Sequence, residues 1–119
     1  MRTHLEPMPS NDEIRDVQRA TWAGLSPGWE KWDSVIMDQL GPVGAAIIER
    51  LDIADDQRHL DIATGTGKPG LTVAELAPRG HVVLIDLAAE MLDIATRRAT
   101  RKGSPILRPR YAAPTTCHR

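Results

Sequence analysis

The stretch His59 to Gly70, HLDIATGTGKPG, constrains the fold more than any other part of this chain. An apolar run there passes directly into three glycines. A buried parallel strand hands over to a helix-starting loop in this way. Gly65, Gly67 and Gly70 fit the spacing G-x-G-x-x-G, in which glycine permits positive φ and lets a ligand approach the backbone. Taken alone, the triplet also describes a tight turn with no ligand. The residues downstream favour a site. PGLTVAELAPRG reads as a short helix with Leu71, Ala74 and Leu76 inward, and HVVLID as a second strand ending at Asp86. An acid about twenty residues beyond such glycines accepts hydrogen bonds from ribose hydroxyls, or caps the helix that follows; the two roles are compatible.

Strand, helix and strand over residues 59–86 predict a right-handed βαβ unit and a parallel sheet with helices on both faces. The next segment, AAEMLDIATRRATRK, is the clearest helix. Met91, Leu92, Ala95 and Ala99 recur at spacings of three and four, and arginines gather in the last turn. Upstream, Ser10 and Glu13 form a capping-box pattern opening a helix to about Ala23, with Ile14, Val17, Thr21 and Trp22 on one side. GLSPG at 24–28 predicts a break, and a second helix then aligns Trp29, Trp32, Val35, Ile36 and Leu40. Gly41-Pro42 predicts another break before a third helix carrying Val43, Ala46, Ile47 and Leu51, with Pro42 near its first turn. Trp29 and Trp32 read as core anchors, and His59 and His81, each opening a strand, as edge or surface residues. The expected organisation is a flexible lead at 1–9, a helical cap at 10–57, the βαβ unit at 58–102 and an irregular tail at 103–119.

The tail is where the pattern stops. A doubly wound sheet has about six strands, and two are recognisable. Pro109 interrupts ILRPRY, which makes it a poor strand. The expectation is an abnormal end from a frameshift or premature stop, or a segment without fixed structure, and an incomplete sheet whose exposed edge invites self-association. Cys117 and His118 lack partners at metal-ligand or catalytic spacing and read as a solvated terminus, so no metal site is expected.

Composition removes several classes. A net charge of −1 gives no field to attract nucleic acid or an anionic membrane. The single cysteine precludes an internal disulfide framework and suits a reducing compartment, the cytoplasm by default. The N-terminus has no apolar stretch of the export type, and no window approaches the roughly 20 apolar residues of a membrane span.

Dinucleotide and S-adenosylmethionine sites share the strand, glycine loop and acid. Asp61, inside the first strand, separates them: its carboxylate would lie close to a pyrophosphate but suits a ligand bearing an ammonium group. Its other reading is a buried acid holding loop amides. Lys68 is equally suited to solvent or to a ligand carboxylate. LDIATGTG followed by LIDLAAEML, within residues 58–99, resembles the first two motifs of class I S-adenosylmethionine-dependent methyltransferases, especially the small-molecule branch typified by ubiquinone and menaquinone C-methyltransferases. The tryptophan-bearing helices before it are similar to the N-terminal cap of such enzymes.

The resemblance implies an α/β, Rossmann-like βαβ unit preceded by a helical cap, with S-adenosyl-L-methionine as cofactor. It places Asp61 near the methionine amino group and wraps Ala63, Thr64, Gly65, Thr66 and Gly67 around the methionine moiety. Asp86 would hold the ribose hydroxyls, with Leu87 against the adenine and Met91 beside it. Many relatives have glycine where this chain has Ala63, a change tolerable if that residue keeps an ordinary φ. The family's acidic adenine contact, its substrate-facing fourth-strand loop and its further strands are not recognisable here, so no catalytic residue is assigned. The expected function is methyl transfer to a small-molecule acceptor, in a form carrying the cofactor half-site only. Two other readings stay open: a non-catalytic S-adenosylmethionine-binding or interaction module, and a fragment of a nicotinamide-dependent oxidoreductase, which must place Asp61 beside a pyrophosphate.

Overall fold

The structure, a computed structural model, describes residues 5–103 and 107–111. Cys117, His118 and His4 lie outside them. Helix α1 spans Asn11–Lys31 and opens on the expected capping box: the Ser10 hydroxyl accepts the Glu13 N–H at 3.2 Å, and the Glu13 carboxylate accepts the Ser10 N–H at 2.6 Å.

The expected break at GLSPG does not occur. Pro27 has no N–H to offer the Ala23 carbonyl, which would ordinarily end the helix. The Ser26 hydroxyl donates to that carbonyl instead, at 2.7 Å, and α1 continues. The chain breaks at Trp32 (φ −100°, ψ 20°), and α2 runs Asp33–Leu51 with Pro42 in its interior rather than its first turn. Three expected helices are therefore two. Trp32 sits at the joint, 55% exposed with the Lys31 ammonium 5.1 Å from its ring centre, so it is not a core anchor. The apolar stripe of α2 is likewise open, with Leu40, Val43 and Ile47 each about half exposed and no residue of the helix buried.

Strand β1 spans Arg58–Ile62, β2 His81–Asp86 and β3 Leu107–Tyr111; all three are parallel, in the order β1-β2-β3. The third strand corrects the reading of ILRPRY as a poor strand; residues 112–119 of the expected irregular tail lie outside the described residues. Among the described residues β3 is an edge strand, where the missing ladder donor of Pro109, opposite Leu84, is tolerated.

Between the strands run α3, Gly70–Leu76, and α4, Ala89–Arg101. Val73 and Ala74 of α3 and Leu92 and Ala95 of α4 pack on Val82 and Leu84 of β2, with Ile48 and Ile53 at the margin. Fully burying an aliphatic side chain such as Val82 or Leu84 stabilises by about 1.5–3 kcal/mol. Met91, Leu92, Ala95 and Ala99 are buried as expected. Leu76, expected inward, is 46% exposed, because the buried stripe of α3 runs through 70, 71, 73 and 74 to Ala77 and leaves position 76 on its flank.

Both helices cover the same face of the sheet, against the expectation of helices on both. Leu60 and Ile62, which share the opposite face with their register partners Val83 and Ile85, are 55% and 70% exposed. His59 alternates onto the covered side. It is half-buried rather than a surface residue, and its Nε2 is buried without a hydrogen-bond partner. Surface ties close the unit. Arg79 chelates the Asp55 carboxylate through two bonds of 2.7 and 2.8 Å, and Lys102 pairs with Glu75 at 2.7 Å across α4 and α3.

Candidate functional site

The loop after β1 is held by two carboxylates. Asp61 Oδ2 accepts the Thr64 hydroxyl at 2.6 Å and the Gly70 N–H at 2.9 Å, tying the start of the loop to the first turn of α3. Asp86, 9% exposed at the end of β2, accepts the Gly65 N–H on Oδ2 at 2.8 Å and the Ala88 N–H on Oδ1 at 2.9 Å. One acid thus fixes the loop and the entry to α4 together. The Thr64 N–H extends the ladder to the Ile85 carbonyl at 3.0 Å, and the Gly67 N–H closes a turn onto the Thr64 carbonyl at 3.0 Å.

The three glycines serve different ends. Gly65 has φ +59°, and a Cβ there would meet nothing within 4 Å, so its bare backbone faces open space. Gly67, at φ +105°, packs against α3 and α4: a Cβ would lie 2.8 Å from the Leu71 side chain and 3.2 Å from Ala95. Gly70 lets α3 meet the sheet, since a Cβ there would collide with the Leu84 side chain and sit 2.7 Å from Asp61 Oδ2. Ala63 departs from the expected ordinary φ. It takes φ +58°, a left-handed conformation costing an L-residue about 1–2 kcal/mol.

A cavity of about 850 Å³ opens over this loop. Ala63, Thr64, Gly65 and Thr66 line its floor, and Asp86, Leu87 and Met91 one side. Seven of the nine site residues expected from the sequence therefore meet on one cavity. Asp61 and Gly67 are not on its wall; they stand behind the loop and shape it. The roof comes from the cap, including Trp22 and Trp29, whose rings meet edge to face at 5.9 Å and 64°.

Arg98 is a residue the sequence reading missed as part of the site. Its guanidinium bonds the Thr66 hydroxyl at 3.0 Å, the Thr66 carbonyl at 3.4 Å and Asp33 at 3.0 Å, joining the glycine loop to the start of α2. Arg97 adds a 2.6 Å pair with Glu30 of α1. In sequence these arginines look like ordinary last-turn cations; their partners in the cap, Glu30 and Asp33, lie more than sixty residues away in the chain, which no local pattern reveals.

A family model described as a methyltransferase domain matches residues 60–112. Among solved structures, phosphoethanolamine N-methyltransferase 1 of Haemonchus contortus aligns over 88% of this chain and 22% of its own at a TM-score of 0.71 and 16% identity. DhpI in complex with S-adenosylhomocysteine aligns over 86% and 46% at 0.63 and 21%. Residues 60–112 are thus similar to a methyltransferase domain, and the fold is the one these solved methyltransferase structures share.

Curated methyltransferases match shorter stretches of the chain. Demethylmenaquinone methyltransferase of Thermus thermophilus is 49% identical over 47 residues, 40% of this chain and 21% of that protein. Release factor glutamine methyltransferase of Xylella fastidiosa is 39% identical over 56 residues, 47% of this chain and 20% of that protein. The chain spans about a fifth of the length of these curated relatives. Among the described residues, no helix is long and apolar enough to cross a membrane.

Proposed function

We propose that this chain supplies the cofactor-binding half of an S-adenosylmethionine-dependent methyltransferase acting on a small-molecule acceptor. The observation that carries the reading is the Asp61 carboxylate against the Gly70 N–H at the opening of α3. In a dinucleotide site the first amides of this helix face the pyrophosphate. Here an internal anion already takes that place. A pyrophosphate would meet like charge, whereas a ligand with an ammonium group and a sulfonium suits it.

The cavity fits such a cofactor. Its volume lies within the roughly 300–1,000 Å³ of small-molecule sites, and the Gly65 backbone leaves room for close approach. In this reading Ala63, Thr64, Gly65 and Thr66 border the methionine moiety, while Asp61 and Gly67 act from behind by setting the loop. Asp86 has used one lone pair on each oxygen for backbone amides and keeps acceptor capacity for the ribose hydroxyls. Leu87 and Met91 offer apolar surface to the adenine. When bound, S-adenosylmethionine brings a methyl group activated by a sulfonium. The chain's own part is to hold and orient the reactants, the chief contribution a protein makes to a displacement of this kind.

Calorimetric titration of the chain with S-adenosylhomocysteine and, separately, with NAD tests the reading. Saturable S-adenosylhomocysteine binding that Asp86→Ala weakens by about 1–3 kcal/mol, with no NAD binding, is the expected result. Preference for NAD would overturn it.

A further inference from the structure

We infer that the acceptor site built by the cap takes a neutral, largely apolar small molecule. The inference rests on the methyltransferase reading of the cavity and concerns its other wall.

The charged residues on the cavity wall are Lys68 and Asp86, and both belong to the βαβ side. Asp86 is engaged by the loop and the cofactor, and Lys68 sits beside the loop with its ammonium 3.4 Å from the Thr72 hydroxyl. The opposite wall, from α1 and α2, carries no charge among the described residues. Met37, Leu40, Val43 and Ile47 of α2 face Trp22 and Trp29 of α1 across it. Its one amide, Gln18, accepts the Trp22 indole N–H at 3.2 Å through its carbonyl oxygen.

This wall recognises by exclusion. Against this wall the phosphate, carboxylate or ammonium of an acceptor would leave its hydration shell and find no counter-charge, since the cavity's charges, Lys68 and Asp86, stand on the βαβ side. A neutral ring or hydrocarbon loses nothing comparable, and the edge-to-face tryptophans offer it one π-face and one ring edge. The cavity stands near the upper end of the usual range of ligand-site volumes, leaving space beyond a single nucleoside-sized molecule.

The test uses three probes of one shape on the 119-residue chain: 2-naphthol, 2-naphthalenesulfonate and 2-naphthylmethylammonium. Each is titrated calorimetrically with and without saturating S-adenosylhomocysteine. The neutral probe should bind at least about tenfold more tightly than either ion. Leu40→Lys and Val43→Glu, both at exposed positions that accept a charge without loss of packing, should each abolish that preference, whereas Val35→Lys, on the same helix at an exposed position off the cavity wall, should keep it. Equal or tighter binding of an ion to the unaltered chain, or a preference that survives both variants, overturns the inference. Should the neutral preference appear while S-adenosylhomocysteine fails to bind, the apolar site stands and the cofactor reading fails; the two claims are thus separable.

Discussion

Replacing Asp86 by asparagine removes one charge and almost no volume, and the structure sets the size of the effect. Both carboxylate oxygens accept backbone amides, from Gly65 at 2.8 Å and Ala88 at 2.9 Å, at a site only 9% exposed. Asparagine keeps one acceptor. Its NH₂ group must then face the other N–H, so one bond is lost outright and two donors oppose each other. The surviving bond falls from charge-assisted to neutral strength. With hydrogen bonds to charged groups worth about 1.5–3 kcal/mol and neutral ones about 1, the expected loss of stability is about 3 kcal/mol. Urea denaturation at neutral pH, followed by fluorescence of the three tryptophans, reads it as a lower midpoint at an unchanged slope. A loss below about 0.5 kcal/mol would refute the claim that Asp86 holds the glycine loop to α4.

Other consequences are smaller in scope. Gly70→Ala drives a methyl group into Leu84 and toward Asp61 Oδ2; overpacking of this kind costs about 1–3 kcal/mol, measurable by the same denaturation, and a neutral result would deny the close contact of α3 with the sheet. Ala63→Gly relieves a φ of +58°; the relief of about 1–2 kcal/mol exceeds the roughly 0.5–1 kcal/mol entropic cost of glycine, so thermal denaturation should show a more stable chain, and a drop in midpoint would count against the left-handed conformation. Hydrogen bonding from Arg79 holds the Asp55 carboxyl below its ordinary 3.8. A depressed carboxylate stabilises the fold above the unfolded-state pKa and loses that contribution as pH falls through the folded-state value. The melting temperatures of the parent and Asp55→Asn should therefore differ at neutral pH and converge in acid, once pH has fallen through the lowered folded-state value; a gap that persists there would dismiss the pair as its source.

The βαβ unit was legible because its signals are local. Hydrophobic run, glycine spacing and terminal acid lie within one short segment, and the structure brings Gly65 and Asp86 into direct contact. The Ser10–Glu13 capping box is local in the same way. What escaped depends on partners distant in sequence or on compensation. Pro27 ends a helix by rule, and only the hydroxyl of its neighbour Ser26 explains why α1 goes on. Pro109 argues against a strand until its place at the sheet edge is known. Arg98 looks like a surface cation until Thr66 and Asp33 are found beside it. The glycine motif was read as one cradle, yet Gly67 and Gly70 answer to packing and Gly65 alone faces the cavity with nothing where its side chain would be. Spacing identifies the motif and does not divide its labour.

The central claim is that the glycine loop and the end of β2 together form one half of an S-adenosylmethionine site. Amide hydrogen exchange of the chain with and without saturating S-adenosylhomocysteine tests it most directly. The account predicts slowed exchange concentrated in residues 63–67 and 86–91, with little change on the uncovered face at Leu60 and Val83. Protection confined to other segments, or none at a ligand concentration shown by calorimetry to saturate the chain, would contradict it.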